Sequence, residues 1–167
     1  MAHFSKYIPT LLKWEGGWSD NKKDKGGATQ KGITLATFRQ FYGPHRTKED
    51  LRNMTDEQWE HIMKTYWDNC KGDEIRNQSI AELFVDWHIN AGANAIKAFQ
   101  KTCLLDADGI VGPKTLAVLN SPNEEIIFSR MKEARELYYY NITRANPSQK
   151  VFLNGWLART RYFNYQP

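Results

Sequence analysis

Apolar side chains recur at helical spacing in almost every part of this chain, and this periodicity constrains the fold more than any other feature. Thr55 and Gln58 form a capping box at the start of one apolar stripe, and Ser79 and Glu82 repeat the same signal. A further long helix is predicted to start at residues 121–124. No linker, repeat or low-complexity tract separates these segments. The sequence therefore predicts a compact, mainly α-helical protein.

The glycine-rich segment at residues 16–32 departs from this periodicity. It follows a helical pattern over residues 4–14, inside which Pro9 predicts either a kink or a nearby helix start. We expect residues 16–32 to form a small β-hairpin or an irregular turn. A second short helix is predicted from Ile33 to Tyr42.

The length and the charge of the chain limit the classes of function that it can have. A chain of 167 residues forms one domain or two small subdomains and needs no metal or disulfide to fold. The net charge of +4 favours anionic partners, but the basic residues are scattered, which argues against nucleic acid. No metal-ligand spacing is present, so we expect no metal and no cofactor; the four histidines are dispersed at His3, His45, His61 and His88.

The N-terminal residues lack a charged region followed by an apolar signal core, and no apolar run is long enough to span a membrane. We therefore expect synthesis in the cytoplasm without a signal peptide. If the target lies outside the cell, the protein acts there after release or export. We also expect no membrane insertion and a monomer.

Glu15 is the first candidate catalytic residue. It ends the apolar helical pattern, Asp24 follows nine residues later, and Thr29 adds a hydroxyl. Glycosidic cleavage needs a proton donor and usually a second carboxylate. The negative end of the helix and the flanking Trp14 and Trp18 would raise the pKa of Glu15, as a proton donor requires. The alternative interpretation is an ordinary solvated glutamate at a helix end.

The segment from residue 15 to residue 34 resembles the signature of glycoside hydrolase family 108, lysozyme-like N-acetylmuramidases of bacteria and their phages. The shared elements are Glu-Gly-Gly-aromatic at residues 15–18, Gly-Gly-Ala-Thr at 26–29 and Gly-Ile-Thr at 32–34. Further segments resemble the family in the same order along the chain: residues 66–68, 86–92, 99–100, 108–116 and 152–156.

This resemblance implies a lysozyme-like helical fold with a catalytic part at residues 1–91 and a peptidoglycan-binding-like part at residues 92–167, packed as one compact globule. It implies a hydrolase that binds peptidoglycan glycan strands. The expected reaction is cleavage of the β-1,4 bond between N-acetylmuramic acid and N-acetylglucosamine.

The resemblance also assigns roles to residues. Glu15 takes the place of the catalytic acid. By likeness to the related phage-type lysozymes, Asp24 takes the place of the second acid and Thr29 that of the threonine that helps to hold the attacking water. The family commonly reads Asn-Asp-Pro before the second acid, whereas this chain reads Asp-Asn-Lys at residues 20–22. Asp20 is therefore a rival to Asp24.

Four residues are candidates for substrate binding: Trp18, Asp20, Asp86 and Asn90. Asp86 and Asn90 lie four apart on one predicted helix, where they could face the glycan groove or brace a helix junction. Two other functions stay open. A lytic transglycosylase needs only one carboxylate, and the motif at residues 108–116 would also suit a peptidoglycan-binding module without catalysis.

Overall fold

The computed structural model describes residues 1–20 and 27–167. These residues form two compact units. The first, here called the sheet unit, is Tyr7–Thr65. The second, the helical unit, comprises Met1–Lys6 and Tyr66–Pro167. Each unit is described separately below.

The sheet unit contains a small three-stranded antiparallel sheet beside short helices. Its strands are β1 (Trp18–Ser19), β2 (Thr29–Gln30) and β3 (Ile33–Thr34), in the order β1-β2-β3. Its helices are most of α1 (Phe4–Trp14), α2 (Leu35–Tyr42), α3 (Lys48–Arg52) and most of α4 (Asp56–Asn69). Of the two alternatives predicted for residues 16–32, the described residues of that segment show the small β-structure, which continues to Thr34.

The predicted helix from Ile33 is wrong at its first two residues. Ile33 and Thr34 pair with β2, and α2 begins only at Leu35. The hydroxyl of Thr34 accepts a hydrogen bond from the backbone N–H of Thr37 at 3.1 Å, so this threonine is both the end of the strand and the N-cap of the helix.

The helical unit is built around one long helix. In chain order it contains α5 (Gln78–Ala91), α6 (Ala93–Thr102), α7 (Pro113–Leu119), α8 (Glu124–Ala145) and α9 (Lys150–Tyr162). Short 3-10 turns lie at Gly72–Glu74 and Pro147–Gln149. Helix α8 packs against α5, α6 and α9, so its apolar side chains form the centre of this unit.

One of the two predicted capping boxes is confirmed. The backbone N–H of Gln58 donates to the hydroxyl of Thr55 at 3.1 Å, and the backbone N–H of Thr55 donates to the side chain of Gln58 at 3.0 Å. These reciprocal bonds satisfy donors that the first turn of α4 would otherwise leave unpaired.

The other predicted capping box, at Ser79 and Glu82, is wrong. The N-cap of α5 is Asn77, whose side chain accepts from the backbone N–H of Ile80 at 3.1 Å. The hydroxyl of Ser79 accepts instead from the backbone N–H of Gln166 at 3.0 Å. The Ser79 hydroxyl, which the local sequence predicted to cap the helix, is therefore bound by Gln166, a residue distant in sequence.

The architecture is mainly α, with a small antiparallel sheet, and it confirms the predicted lysozyme-like fold. Large apolar side chains fill the interior of each unit, for example Leu11 and Phe38 in the sheet unit and Trp87 and Phe99 in the helical unit. Within residues 1–20 and 27–167, no helix is both long and apolar enough to cross a bilayer.

Candidate active site

Glu15 lies directly after α1, where the chain leaves the helix for the sheet. Its backbone N–H donates to the carbonyl of Leu11 at 2.8 Å, so the last helical turn extends to Glu15. The side chain is half-buried. The exposed glycines at positions 16 and 17 follow, and they let the chain turn immediately toward β1.

The turn between β2 and β3 fixes the position of the Glu15 carboxylate. Lys31 and Gly32 both have positive φ, 46° and 80°, as a two-residue type I′ turn requires. A Cβ atom at Gly32 would overlap the carboxylate of Glu15, with Oε2 as its nearest atom. The carboxylate therefore occupies space that only glycine leaves open at this turn.

Two residues of helix α4 contact the same turn at Lys31. The indole N–H of Trp59 donates to the carbonyl of Lys31 at 3.0 Å, and the Trp59 side chain is buried. The ammonium group of Lys31 reaches Asp56 of the same helix at 3.3 Å. The turn against Glu15 is thus anchored by a buried side chain, which is how a catalytic carboxylate is held in one place.

The register of the sheet separates two predicted site residues. Thr29 lies in the central strand, opposite Ser19 on β1 and Thr34 on β3, and Trp18 lies opposite Gln30. Because cross-strand partners share a face and neighbouring residues alternate, Trp18 and Thr29 lie on opposite faces of the sheet. Their side chains are therefore presented on different sides of the sheet.

Helix α3 covers the Trp18 side of the sheet. The guanidinium of Arg52 lies over the Trp18 ring, 5.6 Å from its centroid, and the backbone carbonyl of Arg52 accepts from the side chain of Gln30 at 2.9 Å. These contacts restrict the indole of Trp18, so a sugar could contact only its remaining half-buried surface.

Asp20 is engaged in an ion pair. Both of its carboxylate oxygens accept from the ammonium group of Lys48, each at 3.1 Å. The pair is exposed and joins β1 to the first residue of α3. Asp24, the other candidate for the second carboxylate, lies outside the described residues, so the geometry bears on Asp20 alone.

Sequence reasoning missed the roles of three residues: Gly32, which lies against Glu15, Lys48, which pairs with Asp20, and Arg52, which lies over Trp18. The Lys-Gly pair between Gln30 and Ile33 was a readable signal for a type I′ turn, because such turns favour residues that tolerate positive φ. Lys48 and Arg52 gave no comparable signal, since Lys48 lies 28 residues from its partner Asp20.

Asp86 and Asn90 belong to the helical unit. Asp86 is fully buried, and its carboxylate accepts from Arg135 at 2.8 Å and from Arg159 at 2.8 Å. Asn90 is exposed at the end of α5, with its amide 3.5 Å from the same carboxylate. Of the two interpretations of Asp86, the structure supports the one in which it braces a helix junction, since a fully buried carboxylate offers no surface to a glycan.

No group of three or more His, Cys, Asp or Glu side chains in the described part of the chain could hold a metal ion. A half-buried carboxylate beside a rigid turn suits proton donation to a glycosidic oxygen.

Comparison with known proteins agrees with this geometry. Residues 8–92 match the model of the family described as Glycosyl hydrolase 108, and residues 94–161 match the model described as Predicted Peptidoglycan domain. The fold is similar to the solved structure of Brucella abortus SagA, with a TM-score of 0.80 and 29% identity over 98% of this chain and 96% of that chain. No curated protein matches the chain.

Fold, site and matching models together define a lysozyme-like protein that acts on peptidoglycan. The chain belongs to glycoside hydrolase family 108, because the family model covers more than half of its length, including Glu15 and the whole sheet. Peptidoglycan is its partner, as the second matching model indicates.

Proposed function

We propose that this protein is an N-acetylmuramidase that cleaves the β-1,4 bond between N-acetylmuramic acid and N-acetylglucosamine. Glu15 protonates the leaving oxygen as the general acid. The observation that supports this role best is the contact between the Glu15 carboxylate and the Gly32 turn. This close approach supports the proposal, because a carboxylate packed against the turn would keep a defined position at the end of α1.

The second carboxylate is proposed to be Asp24, which activates water or stabilises the oxocarbenium-like transition state. Its rival Asp20 already binds Lys48 through both oxygens, so it is less available to a water molecule. Thr29, in the central strand, is proposed to orient the attacking water. Trp18 is proposed to contact a sugar with the part of its ring that Arg52 leaves open.

The test is digestion of purified peptidoglycan by the wild-type chain and by Glu15→Gln, followed by mass spectrometry of the products. We expect the wild type to release fragments with reducing N-acetylmuramic acid ends. Loss of the general acid lowers the rate by about 100-fold to 10,000-fold. Glu57→Gln, an exposed acid on α4, is the matched control and should keep the wild-type rate.

The outcomes separate the alternatives. Products with 1,6-anhydro ends would assign the protein as a lytic transglycosylase, and wall binding without any product would assign a module without catalysis. A Glu15→Gln chain that cleaves at the normal rate would refute the assignment of Glu15. In the same assay Asp24→Asn should lose most activity and Asp20→Asn should lose little; the reverse result would exchange their roles.

We further propose that the protein is made in the cytoplasm, acts on the wall after release or export, and works as a monomer, in the manner of a bacteriolytic endolysin. Turbidity loss of bacteria treated from outside, compared with bacteria that contain the protein, tests where it acts. Sedimentation velocity tests the monomer, and a dimer at micromolar concentration would contradict that part of the proposal.

A further inference from the structure

A groove runs between α6 and α8 on the helical unit, distant in sequence from Glu15. It consists of two adjoining cavities of about 370 Å³ and about 290 Å³ that share Thr102, Ala134 and Leu137 as lining residues. Small-molecule clefts in proteins span about 300–1,000 Å³. The groove is therefore large enough for a ligand, although nothing described so far assigns one to it.

The rim of the groove is cationic. Lys97 and Lys101 lie on α6 and Arg130 lies on α8, and all three are exposed. Glu133 is the acidic residue that lines the same groove. Within the described part of the chain, none of the three cations forms an ion pair at 4.0 Å or less. With three cations and one carboxylate among its lining residues, the groove therefore presents a net positive charge to a ligand.

The spacing of the two lysines argues against a purely structural role. Lys97 and Lys101 are four residues apart on α6, so they lie on the same face of that helix, one turn apart. Like charges at this spacing destabilise a helix by a few tenths of a kcal/mol. An anionic ligand between the two ammonium groups would remove this repulsion.

The loop before α7 positions Lys97. Gly109 has a φ of +76°, and a Cβ atom at that position would lie 3.1 Å from Cε of Lys97 and 3.4 Å from its Cγ. The aliphatic part of Lys97 therefore packs over the bare backbone of Gly109. This packing reduces the conformational freedom of the Lys97 side chain, so its ammonium group can occupy fewer positions.

The lining of the groove is partly apolar and partly polar. Leu137, with 52% of its surface exposed, lines it together with Ala98 of α6 and Ala134 of α8. Tyr138 packs edge-on against Trp87 at 5.8 Å between centroids, and Asn94 lines the same cavity. A ligand in this groove would meet apolar surface, hydrogen-bonding groups and three cations.

We propose that the α6–α8 groove binds the stem peptide of peptidoglycan and recognises its free carboxylates. The stem peptide fits this chemistry because it combines small apolar side chains with several carboxylates, whereas the glycan strand is largely neutral. Charge complementarity with Lys97, Lys101 and Arg130 selects the peptide. The proposal does not rest on the muramidase activity, since all residues of the groove belong to the helical unit, whereas Glu15 belongs to the sheet unit.

The test measures binding to purified wall sacculi from which anionic phosphate polymers have been removed. One batch keeps its stem peptides. The other has been treated with an amidase, and the lactyl carboxylate that this hydrolysis frees on each N-acetylmuramic acid has then been amidated, so that bare, uncharged glycan strands remain. All chains carry Glu15→Gln and are assayed in the cold, so that wall turnover does not enter. The triple variant Lys97→Gln, Lys101→Gln, Arg130→Gln is compared with a control of equal charge on the same unit: Arg76→Gln, Lys114→Gln, Lys150→Gln.

We expect the groove variant to bind peptide-bearing sacculi about tenfold more weakly than the control, since three exposed charge contacts are lost. Both variants should bind bare glycan equally. Free stem peptide should compete with the control, and stem peptide with amidated carboxylates should not. Thermal unfolding checks that both chains are folded.

Three results would overturn the proposal. Equal affinity of the groove variant and the control for peptide-bearing sacculi would show that the groove is not used. Equal weakening on bare glycan would make it a sugar site. Competition by polyphosphate or nucleic acid, without competition by the stem peptide, would assign the groove to a phosphate polymer.

Discussion

At the scale of single residues, Gly32 leaves open the space that the Glu15 carboxylate occupies. Its φ of +80° disfavours any other residue, and the space above its Cα is filled by the carboxylate. The two effects have different consequences. The left-handed backbone affects stability, whereas the missing Cβ affects the position of the carboxylate of Glu15, the proposed general acid.

Gly32→Ala is expected to lower the activity on peptidoglycan by about 100-fold, because a displacement of about 1 Å of a catalytic group costs that much. The stability loss should be modest, about 1–2 kcal/mol for a left-handed alanine. The matched control is Gly27→Ala, since Gly27 has a φ of +68° but no atom within 4 Å of a Cβ. Equal activity loss in the two variants would contradict a specific role for Gly32.

Sequence alone indicated Glu15 but could not define its surroundings. The residue type and its place at the end of an apolar stripe were visible, and so was the turn-forming composition around it. The ion pair of Asp20 with Lys48 was not, because it joins residues 28 positions apart whose meeting depends on how α3 lies beside the sheet. Contacts of this kind carry no local pattern.

At the scale of secondary-structure elements, the buried cluster of Asp86, Arg135 and Arg159 joins α5, α8 and α9. Asp86 and Arg135 are 0% exposed, and Arg159 is 12% exposed. One carboxylate thus faces two guanidinium groups away from water. Removal of the single anion of this cluster should lower the free energy of unfolding strongly, because it leaves buried positive charges without a partner.

Asp86→Asn is expected to lower the free energy of unfolding by about 3–5 kcal/mol, measured by urea denaturation. Glu136→Gln is the matched control. It removes an exposed ion pair that joins two of the same helices, with 2.9 Å between Oε1 of Glu136 on α8 and Nε of Arg161 on α9. The control should be indistinguishable from the wild type, since exposed pairs contribute little. If both substitutions had the same effect, burial would not be what makes the Asp86 cluster important.

Helix positions followed from periodicity, but several helix starts did not. The stripe of α4 and its capping box were readable because both signals are local. The start of α5 was misplaced because the hydroxyl of Ser79 binds the C-terminal Gln166, and α3 was missed because its five residues are too few for a periodic pattern. Boundaries that depend on tertiary partners are not encoded in the local sequence.

At the scale of the whole molecule, the net charge of +4 was evident from composition, but its arrangement was not. Lys97 and Lys101 are four residues apart and visibly share a helix face. Arg130 joins them only because α8 packs against α6. The concentration of charge along one groove is therefore a property of the folded helical unit, and it could not be read from scattered basic residues.

The stability of the whole chain should fall as the pH decreases below about 6.5. Burial lowers the pKa of His88 from its usual 6.5, and this effect outweighs a contact with the Gly92 backbone that favours the charged form. The unfolded chain takes up a proton as the pH falls through 6.5, while the folded chain keeps His88 neutral. The stabilisation is therefore complete above pH 6.5 and is lost progressively below it, until the folded pKa is reached.

His88→Phe tests this, because the phenyl ring can replace the imidazole that packs edge-on against Tyr66 at 5.6 Å, but it cannot titrate. Urea denaturation from pH 5 to pH 8 should show a wild-type slope steeper than that of the variant by at most about 1.4 kcal/mol per pH unit. Burial raises the pKa of Glu82, which acts in the opposite direction from about pH 4.5 upward and is common to both chains. His3→Gln, which removes an exposed histidine, should keep the wild-type slope. Identical slopes for the wild type and His88→Phe would show that the buried imidazole does not couple folding to pH.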